Sequence, residues 1–141
     1  MKPLTWTVLM LACFVSPQLF SADLPQTKSP EGARVYIITP EDGAVVTSPV
    51  TIRFGLSGMG VAPAGADVAN TGHHHLLIDG DELPPGDMPM GSNVKHFGGG
   101  QTETTVELEK GQHTIQLIMG DKNHVQHNPP VISEKITITV E

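Results

Sequence analysis

The chain has 141 residues, 38% hydrophobic and 16% charged, and its 15 acidic against 8 basic side chains leave a formal net charge of −7. That balance disfavours nucleic acid and anionic membranes as partners and suits the attraction of cations. A single cysteine excludes any disulfide within the chain.

Taken in chain order, Lys2 is followed by a mostly apolar run, residues 4–15, and then by Phe20-Ser21-Ala22. This pattern reads as a secretory signal peptide cut after Ala22, its apolar run too short to span a bilayer. Cys13 in Leu11-Ala12-Cys13 matches a lipoprotein signal poorly. Cleavage would leave a periplasmic or secreted chain with no thiol and no membrane insertion. Its charge would be 7 minus 15, or −8. The expected organisation is a signal peptide at 1–22, a flexible lead-in at 23–32 and one domain at 33–141.

Strand signals fill that domain, and no long helical stripe interrupts them. Residues 34–39 are β-branched and aromatic, and Pro40-Glu41-Asp42-Gly43 is a turn. Residues 50–56 alternate, with Val50, Ile52, Phe54 and Leu56 on one face. Residues 73–79 form a third strand closed by Asp79-Gly80. A long loop follows at 80–100, rich in proline and glycine. Residues 102–108 and 112–119 alternate around Glu109-Lys110-Gly111, as in a hairpin, and a second loop at 120–130 leads to a last strand at 132–140. Short strands separated by Gly/Pro turns predict an all-β fold, an antiparallel immunoglobulin-like β-sandwich.

All seven histidines fall on strand ends or in loops. Strand alternation puts His73 and His75 on one face and His74 on the other. His113 has the parity of Ile115 and Leu117 and is expected to point inward. His96 precedes Phe97 in the first loop, and His124 and His127 lie in the second. Neutral imidazole is a leading ligand for copper and zinc, and thioethers such as those of Met88 and Met90 suit Cu(I). The expected ligand candidates are therefore His73, His75, His96, His124 and His127, with Met88 and Met90 assisting. For any single histidine, an ordinary hydrogen bond to backbone is the competing reading. Asp79, Asp81, Glu82 and Asp87 lack the spacing of an EF-hand and read as an acidic turn.

Several motifs resemble one bacterial family of exported domains, the domain of unknown function numbered forty-three ninety-nine. They are Gly72-His73-His74-His75-Leu76-Leu77-Ile78-Asp79, His96-Phe97-Gly98-Gly99-Gly100-Gln101-Thr102-Glu103, Gly111-Gln112-His113-Thr114, Gly120-Asp121-Lys122-Asn123-His124, and Pro129-Pro130 with Ser133-Glu134. The resemblance spans residues 55–140 and implies a small exported β domain, with no activity attached. Pro40-Glu41-Asp42-Gly43-Ala44-Val45 and Pro49-Val50-Thr51-Ile52-Arg53-Phe54 are similar to the opening of bacterial immunoglobulin-like domains, and more loosely to periplasmic copper carriers. Those carriers place a histidine at the mature N-terminus. Here the expected terminus is Asp23.

The sequence thus favours an exported, non-enzymatic metal-binding protein, with copper as the ion, zinc as the alternative and no organic cofactor. The competing reading is a structural or interaction module of the cell envelope, bound to an envelope protein, whose histidines only anchor loops. An enzyme is disfavoured: there is no nucleophile elbow, no nucleotide loop and no mature cysteine, although Glu103 or Asp121 could serve as a base beside a metal. Lack of a cysteine thiolate also excludes a blue-copper site. Nothing in the sequence fixes the oligomeric state.

Overall fold

The computed structural model describes residues 25–141; the expected signal peptide lies outside them. Among the described residues there are nine strands: β1 (Arg34–Thr39), β2 (Val45–Val46), β3 (Val50–Ser57), β4 (Gly60–Val61), β5 (Thr71–Ile78), β6 (Lys95–His96), β7 (Glu103–Val106), β8 (Gly111–Gly120) and β9 (Ile136–Val140). They form a three-stranded sheet in the order β1-β3-β7 and a six-stranded sheet in the order β2-β9-β8-β5-β4, with β6 added to β5. No helix among the described residues is long and apolar enough to cross a membrane.

The two sheets pack face to face as a β-sandwich. Val35, Val50, Ile52, Phe54 and Val106 come from the small sheet, and Leu76, Ile115, Leu117, Met119, Ile138 and Val140 from the large one; together they make one buried core. Alternation along β3 and β8 supplies this inner face, as period-two patterning requires. The all-β sandwich expected from the sequence is therefore what forms. Pairing between its named strands is antiparallel except for two short parallel contacts, β2 with β9 and β4 with β5.

Three expectations need correction. The segment at 109–111 does not close a hairpin: β7 pairs with β3 in the small sheet, whereas β8 pairs with β5 and β9 in the large one. The turn is a crossover between sheets, a distinction that alternation on either side of it cannot encode. The last strand begins at Ile136, and Ile132 contributes only an isolated bridge to Ile118. His96 belongs to a strand, since β6 pairs it directly with His75.

The six-stranded sheet has a second, outer face. Leu77 and Ile118 point there and meet Val94, with Met90 and Ile132 packed against them. The 80–100 and 120–134 segments cover this face, which is where the functional geometry lies. Part of the lead-in is tied down on the same side. Ser29 N donates to Asn128 O at 3.2 Å, Asn128 N donates to Thr27 O at 2.9 Å, and Ser29 Oγ donates to Pro129 O at 2.8 Å.

Candidate metal centre

Pairing along β5 settles which histidines meet. His74 stands opposite Met119 and Leu76 opposite Leu117, so both face the core. His73 stands opposite Gly120 and His75 opposite Ile118, on the outer face. Because directly paired residues share a face, the His75–His96 pair brings His96 to that side as well.

His124 arrives from the turn after β8, which Asp121 organises. Its buried carboxylate accepts from Asn123 N at 2.8 Å and Val125 N at 3.1 Å through Oδ1, and from Thr27 Oγ1 at 2.6 Å through Oδ2. His124 closes the turn with φ 65°, a left-handed conformation in which its own N–H reaches Asp121 O at 2.9 Å. Asp121 is thus a positioning residue. The sequence shows it as one more loop acid, although Asp followed two residues later by Asn in a Gly-led turn is a local Asx-turn signal.

The result is a group of four imidazoles, His73, His75, His96 and His124, each offering a nitrogen within 4.8 Å of those of the others. Ring centroids of the six pairs lie 4.5 to 6.0 Å apart. His73 Nε2 and His124 Nδ1 are 3.0 Å apart. His73 and His75 are fully buried, whereas His96 is exposed and His124 half-buried, so the group opens to solvent on the His96 side.

Two glycines make room for the rings. A Cβ on Gly120 would meet His75 Cε1 at 2.5 Å and Met90 Cε at 2.9 Å. One on Gly98 would lie 2.3 Å from His96 Cε1. The His73 Nδ1 and both nitrogens of His75 are buried without a hydrogen-bond partner of normal geometry among the described residues. Leaving such groups unsatisfied costs about 1–3 kcal/mol each. Burial, reinforced by the neighbouring imidazoles, pushes His73 down to about 4 and His75 to about 3. Burial and then His124 also lower His96. At neutral pH these rings are neutral and keep a lone pair, which is the form that ligates metal. A set of nitrogens this close and facing one another can hold a metal ion.

A family model described as Domain of unknown function (DUF4399) matches residues 52–141. The chain belongs to this family. All four clustered histidines lie within the matched segment, and the family expected from the histidine and glycine motifs is the one found. No curated protein and no solved structure matches the chain. The likeness to copper carriers therefore rests on the residues of the Pro40–Phe54 stretch alone.

The remaining candidates of this DUF4399 chain lie apart from the four rings. His127 is buried, but it is absent from the group; its Nε2 donates to Thr71 O at 3.2 Å, and it packs against Gly72, where a Cβ would sit 2.8 Å from its Cε1. Met88 is 51% exposed, whereas Met90 is half-buried beside His75. His113 does turn in from solvent, to an ion pair: Nδ1 lies 2.7 Å from Asp79 Oδ2 and Nε2 is 2.8 Å from Glu109 O. Glu103 pairs with Arg53 on the small sheet, away from the rings.

Proposed function

We propose that this domain binds one transition-metal ion through His73, His75, His96 and His124, that the ion is copper in preference to zinc, and that the protein works outside the cytoplasm without catalysing a reaction. The observation that carries the reading is the convergence of four imidazoles whose ligand nitrogens all lie within 4.8 Å of one another. Two neighbouring strands and a braced turn deliver four rings to one point, yet among the described residues His75 has no hydrogen-bond partner of normal geometry at either nitrogen. Protein folds rarely leave such atoms orphaned, and a metal at about 2 Å satisfies one nitrogen of every ring at once. Copper is favoured over zinc by nitrogen donors in general, Cu²⁺ standing above Zn²⁺ in divalent affinity. The acidic net charge of −7 favours cation approach.

The reading in which histidines merely anchor loops describes His127 and His113 well, since both bond backbone or carboxylate. It gives His75 nothing to hold. As a whole-protein function it would make the domain a docking module for an envelope partner.

Calorimetric titration of metal-stripped protein with Cu(II), Zn(II) and, under reductant, Cu(I) tests the proposal. One ion per chain with sub-micromolar affinity is expected, abolished in a His73→Ala/His75→Ala variant. Weak binding that survives the double substitution would sink the metal reading and return the histidines to scaffold.

A further inference from the structure

We propose that the site is built for the reduced ion, Cu(I), and that Met90 is the residue that sets this preference; the inference rests on the metal-binding reading above. Two independent features lead to it.

The first is the disposition of the rings. An ion held at about 2 Å by imidazole nitrogen sits about 3.2 Å from each ring centre, so four tetrahedral ligands have ring centres about 5 Å apart in every pair. A square arrangement instead requires four pairs at about 4.5 Å and two opposite pairs at about 6.4 Å. Here five pairs span 4.5 to 5.1 Å, and only His75–His124 reaches 6.0 Å. The complementary pair, His73–His96, stays at 4.9 Å, so the second long diagonal of a square is missing. The arrangement is close to tetrahedral. Cu(II) favours tetragonal geometry, whereas a filled d shell leaves the ion without that preference. The scaffold also resists flattening: His73 and His75 are fixed along β5, His96 by its pairing with His75, and the space beside His75 is bounded by Gly120.

The second feature is Met90. Its terminal methyl and His75 Cε1 crowd the same point, 2.9 and 2.5 Å from the position of a Gly120 Cβ. The thioether end therefore borders the His75 ring. Met90 N donates to His124 O at 2.9 Å, which locks the methionine segment to the loop that carries a ligand. A thioether is a soft donor that discriminates between ions, adding little for Zn(II) and more for Cu(I). Met90 also packs against Leu77, Val94 and Ile118, so a substitution must preserve that contact to isolate the sulfur.

Met90→Leu does so. Metal-stripped full-length protein and the variant would be titrated anaerobically with Cu(I) against a chromophoric Cu(I) chelator, and with Cu(II) and Zn(II) against chelators of their own. Wild type is expected to hold Cu(I) more tightly than Cu(II). The variant should lose about tenfold in Cu(I) affinity while Cu(II) and Zn(II) each change less than twofold; with Cu(II) affinity held, the tenfold loss lowers the midpoint potential of the bound copper by about 59 mV. Equal losses for both ions, or none for Cu(I), would overturn the role of Met90. Tighter Cu(II) than Cu(I) in wild type would overturn the proposal while leaving a metal site in place. Failure of every ion to bind would instead remove the metal reading itself. X-ray absorption of Cu(I)-loaded wild type needs no substitution: a sulfur neighbour added to nitrogen is expected, and nitrogen alone would remove Met90 from the site.

Discussion

The two faces of β5 carry the same residue type into opposite fates. On the inner face His74 packs on the Phe54 ring, centroids 5.1 Å apart, inside an apolar core, and neither of its ring nitrogens has a partner of normal geometry. One residue away on either side, His73 and His75 are just as buried, and His75 lacks a partner at both nitrogens and His73 at Nδ1. Burial and orphaned nitrogens therefore do not distinguish a ligand from a core histidine. Convergence does: the outer face receives His96 from β6 and His124 from the Asp121 turn, while His74 stands outside that group, against Phe54 and the apolar core.

The sharpest way to break that comparison is to supply metal and replace one face at a time. A metal at 100 times its dissociation constant stabilises the native state by about 2.7 kcal/mol, which for a domain of this size raises the thermal midpoint by about 10 °C. His75→Leu should abolish the shift, and His74→Leu should keep it in full, as read by scanning calorimetry with and without ion. The glycines come next. Gly120→Ala forces a Cβ into His75 and Met90, and metal affinity should fall by at least about tenfold, or 1.4 kcal/mol. Gly72→Ala instead drives a Cβ to 2.7 Å from the Gly120 carbonyl oxygen, and overpacking against backbone should cost about 1–3 kcal/mol of stability. Smaller is the effect of His74→Leu on the metal-free protein. Removing two unsatisfied nitrogens from an apolar site should be neutral or stabilising, by about 1 kcal/mol. The same variant should soften acid unfolding. Burial holds His74 near 4, below its ordinary 6.5, with the Gln101 backbone offsetting only part of the drop. The unfolded chain thus takes up the proton first, and stability falls as pH drops from 6.5 towards 4. Denaturant midpoints across that range should fall less steeply in His74→Leu than in wild type.

Much of this contrast is legible in the sequence. Alternation alone separates His73 and His75 from His74, and it gives the strands that form the core. Which face is inner is not legible, because His73, Leu77 and Ile118 would suit a core as well as His74, Leu76 and Leu117. The sheet identity of β7 is equally hidden, since a Gly turn between alternating strands serves a hairpin and a crossover alike. His127 looks like His124 in the sequence; the difference is three residues of loop, enough to turn one ring to the cluster and the other to Thr71 O. Met88 and Met90 share a motif, yet only Met90 is braced to the His124 backbone. Such choices are made by loop closure between distant segments, and local pattern carries no record of them.

The faintest test concerns a histidine that belongs to neither face of β5. His113 lies at the opposite end of the large sheet, where Asp79, at φ 54°, accepts its Nδ1–H and also accepts from Thr114 N at 2.9 Å. The hydrogen bond to Asp79, and then the Glu109 carbonyl, raise the His113 pKa above 6.5. A raised pKa in the folded state means that the pair contributes fully below pH 6.5 and fades as pH rises through the raised value. This is the reverse of the acid sensitivity of His74, so the two ends of the sheet respond to pH with opposite sign. Asp79→Asn keeps the acceptor for Thr114 and tolerates the left-handed turn, but removes the charge. With Asp79 half exposed, its loss should cost no more than about 1 kcal/mol. That cost should appear below pH 6.5 and vanish at alkaline pH, in denaturant titrations of variant and wild type at both ends of the range. A cost independent of pH would mean that Asp79 acts through the turn alone, and that His113 is held by Glu109.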